Sequence, residues 1–183
     1  MQVNFQQHAG AGIDQPLAAL SACHQNIRVH LDTLLRLVEQ VPRRGADSET
    51  LQQARGVVDY FGKVLARHHA DEEECLLPML QNLMPDRGRA ALDCLQRELI
   101  AEHEHLLRYW ELIASWLRAL EEGKTSVPDW DVTARFVTMY RHHLDAEEYR
   151  LLPLAERLLG PADLASLAHA MAERRVKANE TRA

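Results

Sequence analysis

Two segments of the chain carry one pattern. The first reads His68-His69-Ala70-Asp71-Glu72-Glu73-Glu74-Cys75-Leu76-Leu77-Pro78, the second His143-Leu144-Asp145-Ala146-Glu147-Glu148-Tyr149-Arg150-Leu151-Leu152-Pro153. In both, a histidine is followed at +4 and +5 by Glu-Glu and at +8 to +10 by Leu-Leu-Pro. Weaker matches precede each segment, Leu20-x-x-x-His24-x-x-Ile27 and Leu99-x-x-x-His103-x-x-Leu106. The chain therefore reads as two related helix pairs. A pseudo-twofold arrangement of the pairs brings His24, His68, His103 and His143 to one level.

Apolar periodicity places these motifs on four long helices. The first opens with Asp14 as N-cap and Pro16 in its first turn, and carries Leu17, Leu20, Ile27, Leu31, Leu34, Leu35 and Val38. Pro42 with Gly45 should stop it. The second starts near Asp47 or Ser48 and continues to Pro78, where a lost backbone donor predicts a kink. Pro85-Asp86-Arg87-Gly88 separates it from a third helix over about Arg89 to Glu122. A turn from Gly123 to Asp129, containing Pro128, leads to a fourth helix capped by Asp129 and ending at Gly160. Pro161 begins a short fifth helix over about Ala162 to Lys177, with a frayed tail from Ala178 to Ala183. Nothing reads as a strand. The expected fold is all-α, an up-down-up-down antiparallel four-helix bundle with a short extra C-terminal helix. In domain terms, residues 1–13 are a flexible N-terminal segment, 14–160 the bundle and 161–183 the last helix and tail.

Composition agrees. A chain of 183 residues suits one core, and 46% apolar with 26% charged residues is that of a soluble globular protein. Only 8 Gly and 7 Pro disfavour a turn-rich β-sandwich. Lys and Arg total 21 against 27 Asp and Glu, a net charge of −6, which argues against a nucleic-acid partner bound through its phosphates. Cys23, Cys75 and Cys94 are odd in number and lack CxxC spacing, which suits a reducing, cytoplasmic setting. No signal peptide is visible, and no stretch of about 18 apolar residues predicts a membrane span. The anomaly is the count of 10 histidines.

Residues four apart share a helix face, so His68 with Glu72, and His143 with Glu147, can each present an imidazole and a carboxylate to one interior point. Leu20, Val64, Leu99 and Met139 stand one turn before the four histidines, and Leu17, Phe61, Gln96 and Phe136 two turns before, so these faces point inward. Burying carboxylates there is costly unless a positive charge compensates, and a metal centre supplies it. Four imidazoles and two carboxylates are too many donors for one structural zinc, whose closed sites use four ligands. Two carboxylates able to bridge suit two metals, and mixed N/O ligation with open positions suits iron. Bundle di-iron oxidases use Glu-x-x-His on two helices. Here the polarity is reversed.

These residues resemble those of the hemerythrin-like, or HHE cation-binding, proteins over roughly Asp14 to Leu159. The resemblance implies two non-haem iron ions, oxo- or hydroxo-bridged, with manganese or a mixed pair as the alternative. Its ligands would be His24 on the first helix, His68 and Glu72 on the second, His103 on the third, and His143 with Glu147 on the fourth. Two departures stand out. Oxygen-carrying members have a second histidine four residues after the one on the third helix, where this chain has Leu107. They also place the last carboxylate at +5, which would select Glu148, whereas the internal repeat favours Glu147. His105 competes with His103 after a small register change. The missing imidazole should leave one iron an open or water-filled position. That suits binding, sensing or reacting with O2, peroxide or nitric oxide better than reversible carriage. Iron–sulfur-cluster repair, and iron storage or donation, are the alternative roles; the N-terminal cysteine of the repair branch is lacking here. A hydrolytic metalloenzyme is weakest, because His103-Glu104-His105 is no HExxH motif.

The remaining candidates read blandly. His8, His30 and His169 are incidental, while His69 and His142 turn away from their ligand neighbours toward the surface or an outer layer. Cys75 is a small buried residue, and Trp110, Tyr109 and Tyr140 are packing. Asp71, Glu73 and Glu74 form a solvated face, and Arg174-Arg175-x-Lys177 complements the end of the last helix. The fifth helix can cover an open side of the bundle or form a homodimer contact.

Overall fold

The computed structural model describes residues 15–124 and 129–180. The expectations for the segment 1–13, His8, Asp14, Pro128 and the last three residues fall outside them. Among the described residues the chain is all-helical, with no strand: α1 Pro16–Arg44, α2 Ser48–Asp71, α3 Leu77–Leu83, α4 Asp86–Glu121, α5 Trp130–Ala146, α6 Leu152–Leu158 and α7 Pro161–Glu180. Two π turns, Glu72–Leu76 and Glu147–Leu151, join α2 to α3 and α5 to α6. The four longest helices before α7 pack as a closed ring, α1 on α2, α2 on α4, α4 on α5 and α5 on α1, as in a four-helix bundle. No described helix is long and apolar enough to cross a membrane.

Local chemistry accounts for most boundaries. The Asp47 carboxylate accepts the Thr50 N–H at 2.8 Å and starts α2, and Asp129 does the same for Val132 at 3.0 Å. Gly45, at φ 75°, ends α1, a conformation an L side chain resists. Four expectations need correction. Pro42 does not stop α1 but rides inside its last turn. The α1 cap position falls on Gln15, which makes no side-chain cap. Finally, α4 begins at Asp86 and not near Arg89, because Pro85 sits extended at the cap position and frees the next residues to be helical. The last helix also runs further than expected, to Glu180.

At Pro78, where a kink is expected, the helix widens ahead of the proline into a π turn. The Leu77 N–H donates to the Glu72 carbonyl, an i to i−5 bond, and Leu152 does the same to Glu147. A proline ring collides with the carbonyl four residues back and offers it no donor. One wide turn takes up that misfit, and the chain stays helical into α3 and α6. Each π turn therefore begins at the repeat's first glutamate.

The apolar residues form two clusters on either side of the histidine level. One gathers Ile27 to Val41, Ala54 to Leu65, Leu106 to Leu120 and Phe136 to Leu144. The other gathers Leu20, Cys75 to Met84, Leu92 to Leu99, Ala146 to Leu159, Leu167 and Met171. Thus Leu20 and Leu99 lie across the site from Phe61 and Phe136 and do not stack in one layer with them. On α1 and α4 the residues preceding the histidine occupy the second cluster. On α2 and α5 they occupy the first. Helix α7 covers the bundle with buried Leu167 and Met171. Arg174 reaches Asp71 at 2.7 Å and Glu74 at 2.8 Å, and Arg175 reaches Asp71 at 3.4 Å. So Asp71 is buried and paired, not solvated, and the arginines tie α7 to the end of α2.

Phe61 anchors the first cluster, with ring centroids 4.9 Å from Trp110, 5.7 Å from Phe136 and 6.0 Å from Tyr140. Phe61→Ala should destabilise the metal-free protein by about 3–5 kcal/mol through lost burial and the cavity left behind. Leu112→Ala, at an exposed position of α4, should stay within about 0.5 kcal/mol. Denaturant unfolding followed by circular dichroism checks both.

Candidate metal centre

All six proposed side chains meet at the level between the two apolar clusters. His24, His68, His103, His143, Glu72 and Glu147 are buried, the two carboxylates completely. Their donor atoms fall into two groups of four: His24, His68, Glu72 and Glu147, and Glu72, His103, His143 and Glu147. Within each group the donors lie within 4.8 Å of one another. The two glutamates belong to both.

The carboxylates are split between the groups atom by atom. Glu147 Oε2 is 3.2 Å from His24 Nε2 and 3.7 Å from His68 Nε2. Its Oε1 is 2.7 Å from His143 Nε2 and 3.8 Å from His103 Nε2. Glu72 Oε1 lies 3.7 Å from His68 Nε2, and Oε2 lies 3.5 Å from His103 Nε2.

Six of these inward atoms have no hydrogen-bond partner: His24 Nε2, His68 Nε2 and all four carboxylate oxygens. Buried polar atoms rarely go unsatisfied, and orphaned donors and acceptors gathered at one point call for a ligand. His103 Nε2 and His143 Nε2 stand 3.0 Å apart, close enough to share a proton in the metal-free protein or to face one cation. The residues present therefore fit a metal pair.

A second ring of carboxylates orients the imidazoles from outside. Glu73 accepts the Nδ1–H of His103 at 2.6 Å, Glu102 that of His143 at 2.8 Å, and Glu148 that of His24 at 3.2 Å. A carboxylate can only accept here, so each bond places the proton on Nδ1 and aims the Nε2 lone pair inward. Arg28 in turn holds Glu148 at 2.9 Å and Asp145 at 3.0 Å. Spacing along the chain does not reveal these roles. Glu73 is expected on a solvated face, and Glu102 stands in no motif. The signal available for Glu73 and Glu148 was the Glu-Glu doublet itself: both occupy +5 in their repeats, and each reaches a histidine of the other helix pair.

The competing residues are also placed. Glu148 lies outside the cluster, against His24 and Arg28. His105 is exposed beside Arg108, His142 is exposed with Nδ1 3.6 Å from Glu102, and His169 is exposed near Glu173. His30 stacks on Tyr60 at 3.7 Å and donates to the Asn26 carbonyl. His69, expected to turn outward, is buried with its ring stacked on His103 at 3.7 Å. Leu107 faces solvent at 45% exposure, so the position that carries the second imidazole in oxygen carriers does not look into this site.

The hemerythrin HHE cation-binding domain model matches residues 15–155. This chain belongs to that family. A relative from Haemophilus influenzae, described as an uncharacterized protein, is 26% identical over 165 residues, covering 90% of this chain and 92% of its own. Membership in the HHE family and the buried His/Glu clusters agree on a metal-binding protein.

The charge state of the metal-free HHE site is uneven. Burial and the facing Glu147 push the Glu72 carboxyl up. Burial acts the same way on Glu147, but His143 and the other imidazoles outweigh it and hold Glu147 well below the usual range. Burial lowers His143, yet Glu147 and the Glu102 hydrogen bond prevail and raise it to about 9. A pKa raised from 6.5 stabilises the metal-free fold fully below about pH 6.5, and that stabilisation is lost as pH rises through about 9. Metal needs the neutral imidazole, so its affinity should strengthen over the same window. Melting temperatures of metal-free protein from pH 6 to 10 should fall, and His143→Gln should flatten the decline. Separately, Glu73→Gln or Glu102→Gln should weaken metal binding by about 10- to 100-fold, read by competition with a chelator.

Proposed function

We propose that this protein holds two non-haem iron ions between Glu72 and Glu147 and there binds, senses or reacts with O2, peroxide or nitric oxide. One observation carries this. Each of the two buried carboxylates turns one oxygen toward the His24/His68 pair and the other toward the His103/His143 pair, as bridging ligands do. Four nitrogens and four oxygens exceed a closed zinc site, and their mixed softness suits iron, with manganese or a mixed pair next. Iron held so supplies a change of redox state and open positions for a small ligand.

The chain's own residues do the rest. Glu73, Glu102 and Glu148 lock three imidazoles in one tautomer and orientation. The two apolar clusters wall the site off from bulk water and restrict it to small visitors. Four side-chain donors per ion leave room at a six-coordinate metal. The opposite running order of α1 and α4 against α2 and α5 supports the up-down-up-down antiparallel course. Three free cysteines support a reducing, cytoplasmic setting.

Anaerobically purified protein should contain about two irons per chain, and its optical spectrum should change on mixing with O2, peroxide or nitric oxide. One tightly held zinc and a featureless spectrum would overturn the proposal. Oxygen uptake that is fully reversible over many cycles would mark a carrier. Iron passed intact to an acceptor protein without any spectral response to these ligands would favour the storage or repair roles.

A further inference from the structure

A groove opens over the second apolar cluster, between the start of α4 and the run from the second π turn through α6. Its volume is about 560 Å³, within the range of about 300–1,000 Å³ typical of small-molecule sites. Buried Met84, Leu92 and Leu95 form its floor, and half-buried Leu154 and Leu158 its wall. Every described charged residue lining it is an arginine: Arg87, Arg150 and Arg157. In a chain of net charge −6 that is the reverse of the average surface. Arg150 is committed to Glu98, its Nη1 2.9 Å from each carboxylate oxygen. Arg87 and Arg157 have no ion-pair partner among the described residues. The groove residues on α4 all precede Glu98, and those on α6 all follow Arg150. Arg87 and Arg157 therefore stand at the end far from that pair, with the leucines between. Gly88 keeps this end open. A Cβ there would stand 2.5 Å from Met84 Sδ, so the bare backbone leaves the methionine its place in the floor.

We propose that the groove binds a free single-chain carboxylate, its tail over the leucine floor and its head between Arg87 and Arg157. The guanidinium fork matches a carboxylate, while the unbranched thioether of Met84 adapts to the tail. From Arg87 to Leu95 the helix rises about 12 Å, the span of a tail of about ten carbons. A recess between two helices admits a free molecule, whereas a bilayer engages apolar side chains that protrude. The groove lies apart from the six inward donors and stands whether or not these hold two ions.

Isothermal titration calorimetry with decanoate on the full chain as purified tests this. One decanoate should bind per chain, with decanol and acetate each weaker by about tenfold or more, since each lacks one half of the recognition. Replacing both Arg87→Gln and Arg157→Gln should weaken decanoate by about tenfold and leave decanol unchanged. Ala91→Trp, at an exposed position of α4 that lines the groove, fills it without altering charge and should abolish binding of both. Decanol bound as tightly as decanoate, or decanoate binding that survives Ala91→Trp, would overturn the proposal. Retention of the protein on vesicles of anionic phospholipid without binding of free decanoate would also overturn it and assign the groove to a membrane surface. Should Ala91→Trp not fold, the arginine pair and the decanol comparison decide.

Discussion

Two carboxylates at the centre of a helical core govern this molecule. Glu72 and Glu147 are completely buried and none of their oxygens has a hydrogen-bond partner. Ionised carboxylates in such a place are among the most unfavourable groups a fold can contain unless cations surround them. In the metal-free protein the site reaches a compromise: Glu72 is pushed toward its neutral form and the imidazoles take up protons around Glu147. Two divalent ions would permit both carboxylates to ionise and all inward imidazoles to be neutral. The net charge of −6 is therefore not wholly a surface property.

Much of the rest of the structure serves to hold those two carboxylates in register. A π turn begins at each of them, and such turns gather at functional sites because they re-aim side chains without ending the helix. The Leu-Leu-Pro that follows is the reason the wide turn is tolerated, since the proline cannot complete a regular α turn. At the end of each turn, buried Leu76 and Leu77, with Leu151 and Leu152, lock the continued helices into the second cluster. The outer glutamates then stitch the two helix pairs together. Glu73 crosses to His103 on α4, and Glu148 crosses to His24 on α1. Each repeat thus orients a histidine of the other, which ties the two halves through the site itself.

This logic decides what was legible in the amino-acid sequence. Spacing alone gathered the six inward side chains, because i, i+4 pairs on a helix have only one geometry to choose from. Glu147 was preferable to Glu148 because it repeats Glu72. What spacing could not reveal were contacts between helices. Asp71 reads as one of four consecutive acids, and only the return of α7, with Arg174 and Arg175, shows that it is buried and paired. Glu102 belongs to no motif, and its role exists only because α4 and α5 are neighbours. A turn of about 100° from His68 points His69 toward the surface or an outer layer. The interior between α2, α4 and α5 is wide enough to hold both rings.

The repeat is exact in the ligands and inexact in what lies behind them. The residue before His103 is Glu102, which accepts from His143; the residue before His24 is Cys23, whose thiol neighbours His68. A carboxylate behind an imidazole makes it a more basic ligand and fixes its tautomer, and a thiol does less of both. His69 adds to the difference, since its repeat partner Leu144 has no donor to offer. The richer environment, with the anionic partners Glu73 and Glu102 and the stacked ring of His69, surrounds the His103/His143 group. His24 has Glu148, but His68 has the thiol. A duplicated helix pair left to itself would build two equal groups of donors. These substitutions make the two donor groups unequal in what stands behind their imidazoles.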